Sequence, residues 1–296
     1  PGGLLTIDLR HDDPLPLDNR AYLVVPEPKE ERVLLISEVE DPYIKYALAS
    51  AKGLTLQTAV PPVIPPFENF DIVILGEVRS TSLLPGTIES LATYAEKGGN
   101  VVIVASDKLQ ELGGMDPILP VALQGGSGRG KMEVRTVNEL TLDLDLQGVT
   151  TKYLLAEARE GSITLATAGI DGSPVLAVWS KGKGKVAYFG IKPERSWSDF
   201  HLSPSFPIFW VRLTDWMRGT NMVENKNFAT GDLVPLGERV EVKTPTGMVT
   251  TDRLLLDETG VYEFKGDSIA TNLLDERESE IAPGSTVPKE EVKGTV

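Results

Sequence analysis

The sequence contains no cysteine. Disulfides, thiolate metal sites and cysteine nucleophiles are excluded together, while the compartment stays open, because a chain without thiols tolerates either redox condition. Histidine is scarce as well, with His11 and His201 the two examples. Cations are in deficit: 29 Lys and Arg stand against 43 Asp and Glu, a formal net charge of −14. Nucleic-acid binding needs clustered cations against phosphate and is not expected. A general anionic membrane surface is disfavoured for the same reason. No run of about eighteen apolar residues occurs, so nothing reads as a membrane-spanning helix. The chain opens on Pro1-Gly2-Gly3 without Met or a signal peptide and reads as an excised piece of a longer protein.

What is present is ordinary globular composition. The 296 residues are 41% hydrophobic and 24% charged, which suits about two domains. Residues 1–30 predict two strands, Leu4–Leu9 and Asn19–Val25, around a polar turn at His11–Pro14. Two strands make no stable unit alone, so they pair with the rest of this chain or with a domain upstream.

Residues 31–222 predict an α/β domain. Val33–Ile36, Asp71–Gly76 and Val101–Val104 are short continuous apolar runs, as expected of strands covered on both faces. Between them, Asp41-Pro42 opens a helix with an N-cap and a first-turn proline, and Thr87–Lys97 is an amphipathic helix ended by Gly98-Gly99. The alternation implies a parallel sheet wrapped by helices. Short strands follow at Lys131–Val137, Tyr153–Ala158, Ile163–Ala168, Val175–Trp179 and Lys185–Gly190, then a helix over Phe206–Met217. Residues 228–282 predict a small β-sandwich-like domain, with runs at Arg239–Lys243, Met248–Thr251, Val261–Phe264 and Ile269–Leu273; residues 283–296 predict a flexible tail.

The order of several segments resembles a known family. Asp12-Asp13 with Leu17-Asp18-Asn19-Arg20-Ala21-Tyr22 is similar to a segment of membrane-anchored, BatA-like proteins that carry von Willebrand factor A domains. Tyr94–Val102, Gly184–Gly190, Ser203–Phe209 with Leu213 and Trp216, Gly260-Val261-Tyr262, Ala270–Asp275 and Glu278-Ser279-Glu280 extend the likeness in order along the chain. The resemblance implies a class I glutamine amidotransferase-like, flavodoxin-like domain starting near Val33, with a partly parallel sheet and helices on both faces. It also implies an extracytoplasmic location, a von Willebrand domain upstream and a transmembrane helix beyond Val296.

The catalytic set of that scaffold is incomplete. Glutamine amidotransferases place a Cys after a buried strand and a His-x-Glu pair downstream. The matching turn here is Ala105-Ser106-Asp107, and His201 is followed by Leu202-Ser203. A serine attacks a carbonyl only with a positioned base, so Ser106 is expected instead to cap a helix over Lys108–Leu112. No catalytic residue, metal or cofactor is assigned. Ligands of open α/β sheets bind at the strand C-termini, where the candidate lining is Ser37, Glu38, Gly76, Glu77, Ser106 and Asp107.

Other motifs have plain readings. Gly125–Gly130 lacks the Gly-Lys-Ser/Thr ending of a phosphate loop and reads as a mobile loop. Asp143 and Asp145 read as the polar face of a strand whose other face is Leu142, Leu144 and Leu146. Lys181, Lys183 and Lys185 read as a solubilising hairpin tip, and Glu194, Asp199 and His201 as loop polarity. Trp197, Phe200, Phe206, Phe209, Trp210 and Trp216 are expected to pack a helix on the sheet, any ring left exposed in Ser196–Ser203 serving as an anchor. The expectation is a non-catalytic structural or interaction module with a protein partner, such as a von Willebrand factor A domain. A hydrolase using Ser106 or crevice carboxylates around a metal, and a small-ligand sensor, are the alternatives.

Overall fold

The computed structural model describes residues 2–9, 19–26, 30–51, 53–146, 148–219 and 226–273. The expected turn at His11–Pro14, the segment Asp12–Asp18 and the tail 283–296 lie outside the described residues. The chain divides into two compact units, Pro1–Glu27 with Thr220–Val296, and Pro28–Gly219.

The chain begins with β1 (Gly3–Asp8) and β2 (Arg20–Val25), paired antiparallel without a register shift from Gly3↔Val25 to Asp8↔Arg20. They belong to the same unit as the C-terminal strands.

Pro28–Gly219 holds β3 (Glu31–Ile36), α1 (Pro42–Ala49), β4 (Leu54–Ala59), β5 (Ile72–Leu75), α2 (Thr87–Glu96), β6 (Asn100–Val104), β7 (Val121–Val134), β8 (Thr150–Ala158), β9 (Ile163–Ala168), β10 (Ser173–Lys181), β11 (Gly184–Phe189) and α3 (Ser205–Arg218). One nine-stranded sheet runs β4-β3-β5-β6-β11-β10-β9-β7-β8. Its first five strands are parallel and the remainder antiparallel.

Alternation along β3 explains why both faces are covered. Val33 and Leu35 join Ile44 and Leu48 of α1 and Phe206, Phe209 and Leu213 of α3 in one core. Leu34 and Ile36 join Ile88, Leu91 and Ala95 of α2 in the other. Each fully buried Leu, Ile or Phe contributes about 1.5–3 kcal/mol. Phe189 at the end of β11 is the aromatic hub, with ring centroids 5.0 to 6.4 Å from those of Phe200, Phe206, Phe209 and Trp210. Trp197 and Phe200 are buried, so Ser196–Ser203 presents no exposed aromatic anchor. The first helix begins as its sequence requires: the Asp41 carboxylate accepts the Ile44 amide at 3.0 Å and Pro42 occupies the first turn.

Three sequence expectations change. Gly125–Gly130 is part of strand β7, not a loop; its register against β8 jumps between Leu123 and Ser127, where Gly125 and Gly126 take φ of +76° and +86°, the backbone of a bulge. The next glycines make room: a Cβ on Gly128 would fall 2.5 Å from the Tyr153 ring, and one on Gly130 2.5 Å from the Gly169 Cα. Asp143 lies in a turn, with φ +57°, and Asp145 in irregular backbone just after it, neither in a strand; Leu144 and Leu146 are buried while Leu142 is half exposed. The lysine hairpin is docked, not merely solvated. Lys185 Nζ donates to the Trp216 carbonyl at the end of α3 and sits 4.5 Å over the Trp216 ring, where a cation meets the negative end of the helix.

The other unit adds β12 (Asn227–Ala229), β13 (Leu233–Lys243), β14 (Met248–Leu255), β15 (Gly260–Phe264) and β16 (Asp267–Asn272) in one five-stranded sheet, β12-β16-β15-β13-β14. Val240, Val242, Leu254, Leu256, Tyr262 and Ile269 form its core. The backbone of β2 meets this sheet through side chains: Asn227 binds both polar groups of Val24, at 2.8 and 3.0 Å, and Asn272 does the same for Tyr22.

Candidate functional site

The C-terminal ends of β3, β5, β6 and β11 meet at one edge of the parallel sheet. A cavity of about 110 Å3 opens there, walled by Ser37, Asp41, Tyr43, Glu77, Lys192 and Glu194 among others. That is below the roughly 300–1,000 Å3 of pockets that enclose drug-sized ligands. It has room for several waters or a small polar group.

The loops after β3 and β5 are laced together. The Ser37 hydroxyl donates to the Val39 carbonyl at 2.7 Å and accepts the Val39 amide at 3.2 Å. The Glu38 amide donates to the Glu77 carbonyl, and the Gly76 amide to that of Ile36, both at 2.8 Å. Gly76 itself packs on Ser37, where an added Cβ would come to 3.0 Å.

Most carboxylates at this edge are paired with a cation, two of them sharing one lysine. Glu38 binds the Arg79 guanidinium at 2.9 Å, the Arg79 amide at 2.8 Å and the Ser82 hydroxyl at 2.6 Å. Hydrogen bonds from Arg79, then Ser82, hold its carboxyl down at about 2. Glu77 and Glu194 flank Lys192, at 2.7 and 2.8 Å. Burial pushes the Lys192 ammonium down, but hydrogen bonds to Glu194 and Glu77 outweigh it and leave it above its ordinary value. Asp107 pairs with Lys152 at 2.5 Å, and that ammonium lies 4.9 Å over the Trp197 ring. Asp41 differs. Burial raises its carboxyl to about 6 although the Ile44 amide and Lys192 pull the other way.

Ser106 is buried, 2% exposed, and does not cap a helix. Its carbonyl, not its hydroxyl, accepts the Leu109 amide at 3.1 Å, and the short 3-10 turn Leu109–Glu111 that follows has no side-chain cap. Among the described residues, no histidine or carboxylate is hydrogen-bonded to the Ser106 hydroxyl. His201 is buried against Tyr43, ring centroids 4.2 Å apart, with neither ring nitrogen hydrogen-bonded; burial pushes its imidazole below the ordinary value. His11 lies outside the described residues. Asp199 accepts the Thr150 amide at 2.9 Å, so Glu194, Asp199 and His201 each face a different neighbour. Among the described residues, no group of three or more His, Asp or Glu is placed to hold a metal ion.

Of the six predicted crevice residues, Ser37 and Glu77 line the cavity, whereas Glu38 and Asp107 turn to Arg79 and Lys152. Asp41, Tyr43 and Lys192 were missed as lining. Position relative to strand ends was the available signal: Lys192 lies three residues past β11 and Asp41 five past β3.

A family model described as a domain of unknown function, DUF7408, matches residues 32–213. The chain belongs to that family. A second model, also a domain of unknown function, DUF7406, matches residues 220–271. No curated protein matches the sequence. Among solved structures, the DUF7408 chain is similar to cytoplasmic protein STM1381 from Salmonella typhimurium LT2, with 14% identity and TM-score 0.54 over 63% of this chain and 99% of that one. Cytoplasmic protein STM3548 from Salmonella typhimurium gives 14% identity and TM-score 0.54 over 63% and 98%. These are likenesses of fold. Among the described residues, no helix is long and apolar enough to cross a membrane.

Proposed function

We propose that this DUF7408 chain is a non-catalytic interaction module built on a flavodoxin-like, amidotransferase-like scaffold. The order of the parallel strands supports the scaffold: numbered along the chain, β4-β3-β5-β6-β11 reads 2-1-3-4-5, the flavodoxin order. The observation that supports the non-catalytic reading is the state of the strand-end crevice. Glu38, Glu77, Glu194 and Asp107 are each engaged by a cation, and among the described residues no histidine or carboxylate is hydrogen-bonded to the Ser106 hydroxyl. Nucleophilic catalysis requires hydroxyl and base within hydrogen-bond reach, with a third group orienting the base.

The resemblance to BatA-like proteins supplies the setting: a membrane-anchored parent, an extracytoplasmic position, and docking on a von Willebrand factor A domain of the same or another chain. The small β unit completes the reading as a β-sandwich-like companion.

Three measurements test this. A fluorophosphonate probe and a glutamine-hydrolysis assay on the purified chain give no labelling and no ammonia release; turnover abolished by Ser106→Ala overturns the non-catalytic reading in favour of a hydrolase. Calorimetric titration with a von Willebrand factor A domain from a BatA-like protein gives saturable binding. No heat at protein concentrations of about 100 µM sinks the docking half.

A further inference from the structure

His201 is a buried ionisable side chain that the crevice reading leaves unused. It is 7% exposed, and both ring nitrogens are shut off from solvent without a hydrogen-bond partner. Buried polar groups are normally paired, so the exception asks for a reason. This one sits at a joint. His201 belongs to the 3-10 turn Phe200–Leu202 that leads into α3, and its ring meets that of Tyr43 in α1, tilted by 52°. Tyr43 in turn walls the strand-end cavity beside Asp41, the N-cap of α1. Ile44 and Leu48 bury the inner face of α1 in the core it shares with α3. The Tyr43–His201 contact adds a link between the first turn of α1 and the 3-10 turn.

The site tolerates this imidazole only while it is neutral. A proton turns both nitrogens into donors, and an uncompensated buried charge costs far more than a neutral polar group. The neighbouring elements offer little relief. In α1, Lys45 is paired with Glu40, and the Asp41 carboxylate accepts the Ile44 amide. Residues 205–211 of α3 carry no charge. Burial and then Arg195 oppose a charge on the ring; Asp199 and the Ser198 backbone favour one without prevailing. We propose that His201 is an acid-sensitive latch: neutral, it holds Tyr43 and the start of α1 closed on the strand-end crevice; protonated, it releases them and opens the cavity.

Asp41 works against the latch. Burial in the closed state raises its carboxyl to about 6, so acid favours closure through this group. Between pH 7.5 and 5.5, freeing an imidazole of ordinary value about 6.5 favours opening about tenfold, and Asp41 takes back about fourfold. The inference holds whether the crevice docks a partner or turns over a substrate, and does not rest on either.

Hydrogen exchange of the α1 amides on the 296-residue chain, corrected for the intrinsic pH dependence and compared with the α2 amides, tests it. From pH 7.5 to 5.5, α1 protection relative to α2 falls about two- to threefold in the parent and about tenfold in Asp41→Asn. Adding His201→Phe, which keeps a ring that cannot take a proton, leaves the Asp41→Asn chain flat. The parent spectrum keeps the test sharp if that variant fails to fold: of the two histidine Cε1–H resonances, the one retained in His11→Gln titrates over the range in which α1 opens. Protection that ignores pH in Asp41→Asn overturns the latch. So does an equal loss in α2, a loss that persists with His201→Phe, or a His201 resonance that titrates while α1 stays protected.

Discussion

The side-chain amide of Asn272 is bonded at both ends to the backbone of Tyr22, 250 residues earlier: Oδ1 accepts the Tyr22 amide at 2.7 Å and Nδ2 donates to the Tyr22 carbonyl at 2.8 Å. One residue of β16 thus does for β2 what a neighbouring strand's backbone does in a sheet. Asn227 repeats the arrangement on Val24. Removing the amide leaves half-buried backbone groups without partners, at about 1–3 kcal/mol. Asn272→Ala is therefore expected to speed hydrogen exchange of the Tyr22 amide by tenfold or more. Unchanged exchange at Tyr22 would show that the amide is dispensable.

Asp41 supplies a pH signature. Its carboxyl rises from 3.8 to about 6 on folding because burial opposes the charge. The folded chain therefore holds this proton more tightly than the unfolded one. The group disfavours folding in full above about pH 6, and that cost fades as pH falls toward 4. Asparagine also caps helices but carries no charge to desolvate. Asp41→Asn should stabilise this unit by about 1–3 kcal/mol at pH 7.5, the gain vanishing below pH 4. Denaturant unfolding followed by tryptophan fluorescence reads this unit alone, because all four tryptophans lie within residues 179–216.

Lys192 has the opposite dependence. It separates Glu77 from Glu194 in a partly buried setting. Burial pushes the Glu194 carboxyl up, yet hydrogen bonds from Lys192 and Ser196 prevail and hold it below its ordinary value. The stability this confers is present above about pH 4.5 and is lost as pH falls further. Lys192→Met is predicted to cost about 2–4 kcal/mol at pH 7.5, with the difference from the parent shrinking in acid. A gap that is constant with pH would mean that packing, not charge, is what the lysine contributes.

The glycine run in β7 gives a steric contrast. A Cβ on Gly130 meets the Gly169 backbone at 2.5 Å, while one on Gly113 meets nothing within 4 Å. Gly130→Ala should therefore lower stability by about 1–3 kcal/mol, since backbone must shift. Gly113→Ala should fall within about 0.5 kcal/mol of the parent. Thermal melts of the two variants side by side decide it.

Local signals made much of the α/β unit legible. Asp41-Pro42 marked a helix start because cap and proline act within one turn, and the apolar runs of β3, β5 and β6 marked buried strands because both their faces meet helices. Where two distant segments set the structure, the sequence was silent. Gly125–Gly130 looks like a loop until Tyr153 and Gly169 are seen to occupy the space that side chains would take. Alternation at Asp143 and Asp145 imitated a strand, but a left-handed backbone at Asp143 turns the chain instead. The crevice was half readable. Strand ends located Ser37 and Glu77, while the lysine that neutralises Glu77 lies 115 positions on and carries no motif.

The bonds from Asn227 to Val24 span 203 positions. During synthesis the amino-terminal hairpin leaves the ribosome with its anchoring amides still untranslated. At about 5–20 residues per second the delay is roughly 10–40 s. Through that interval the α/β unit can collapse by itself, whereas the hairpin waits as an apolar ribbon that any passing strand or chaperone can hold.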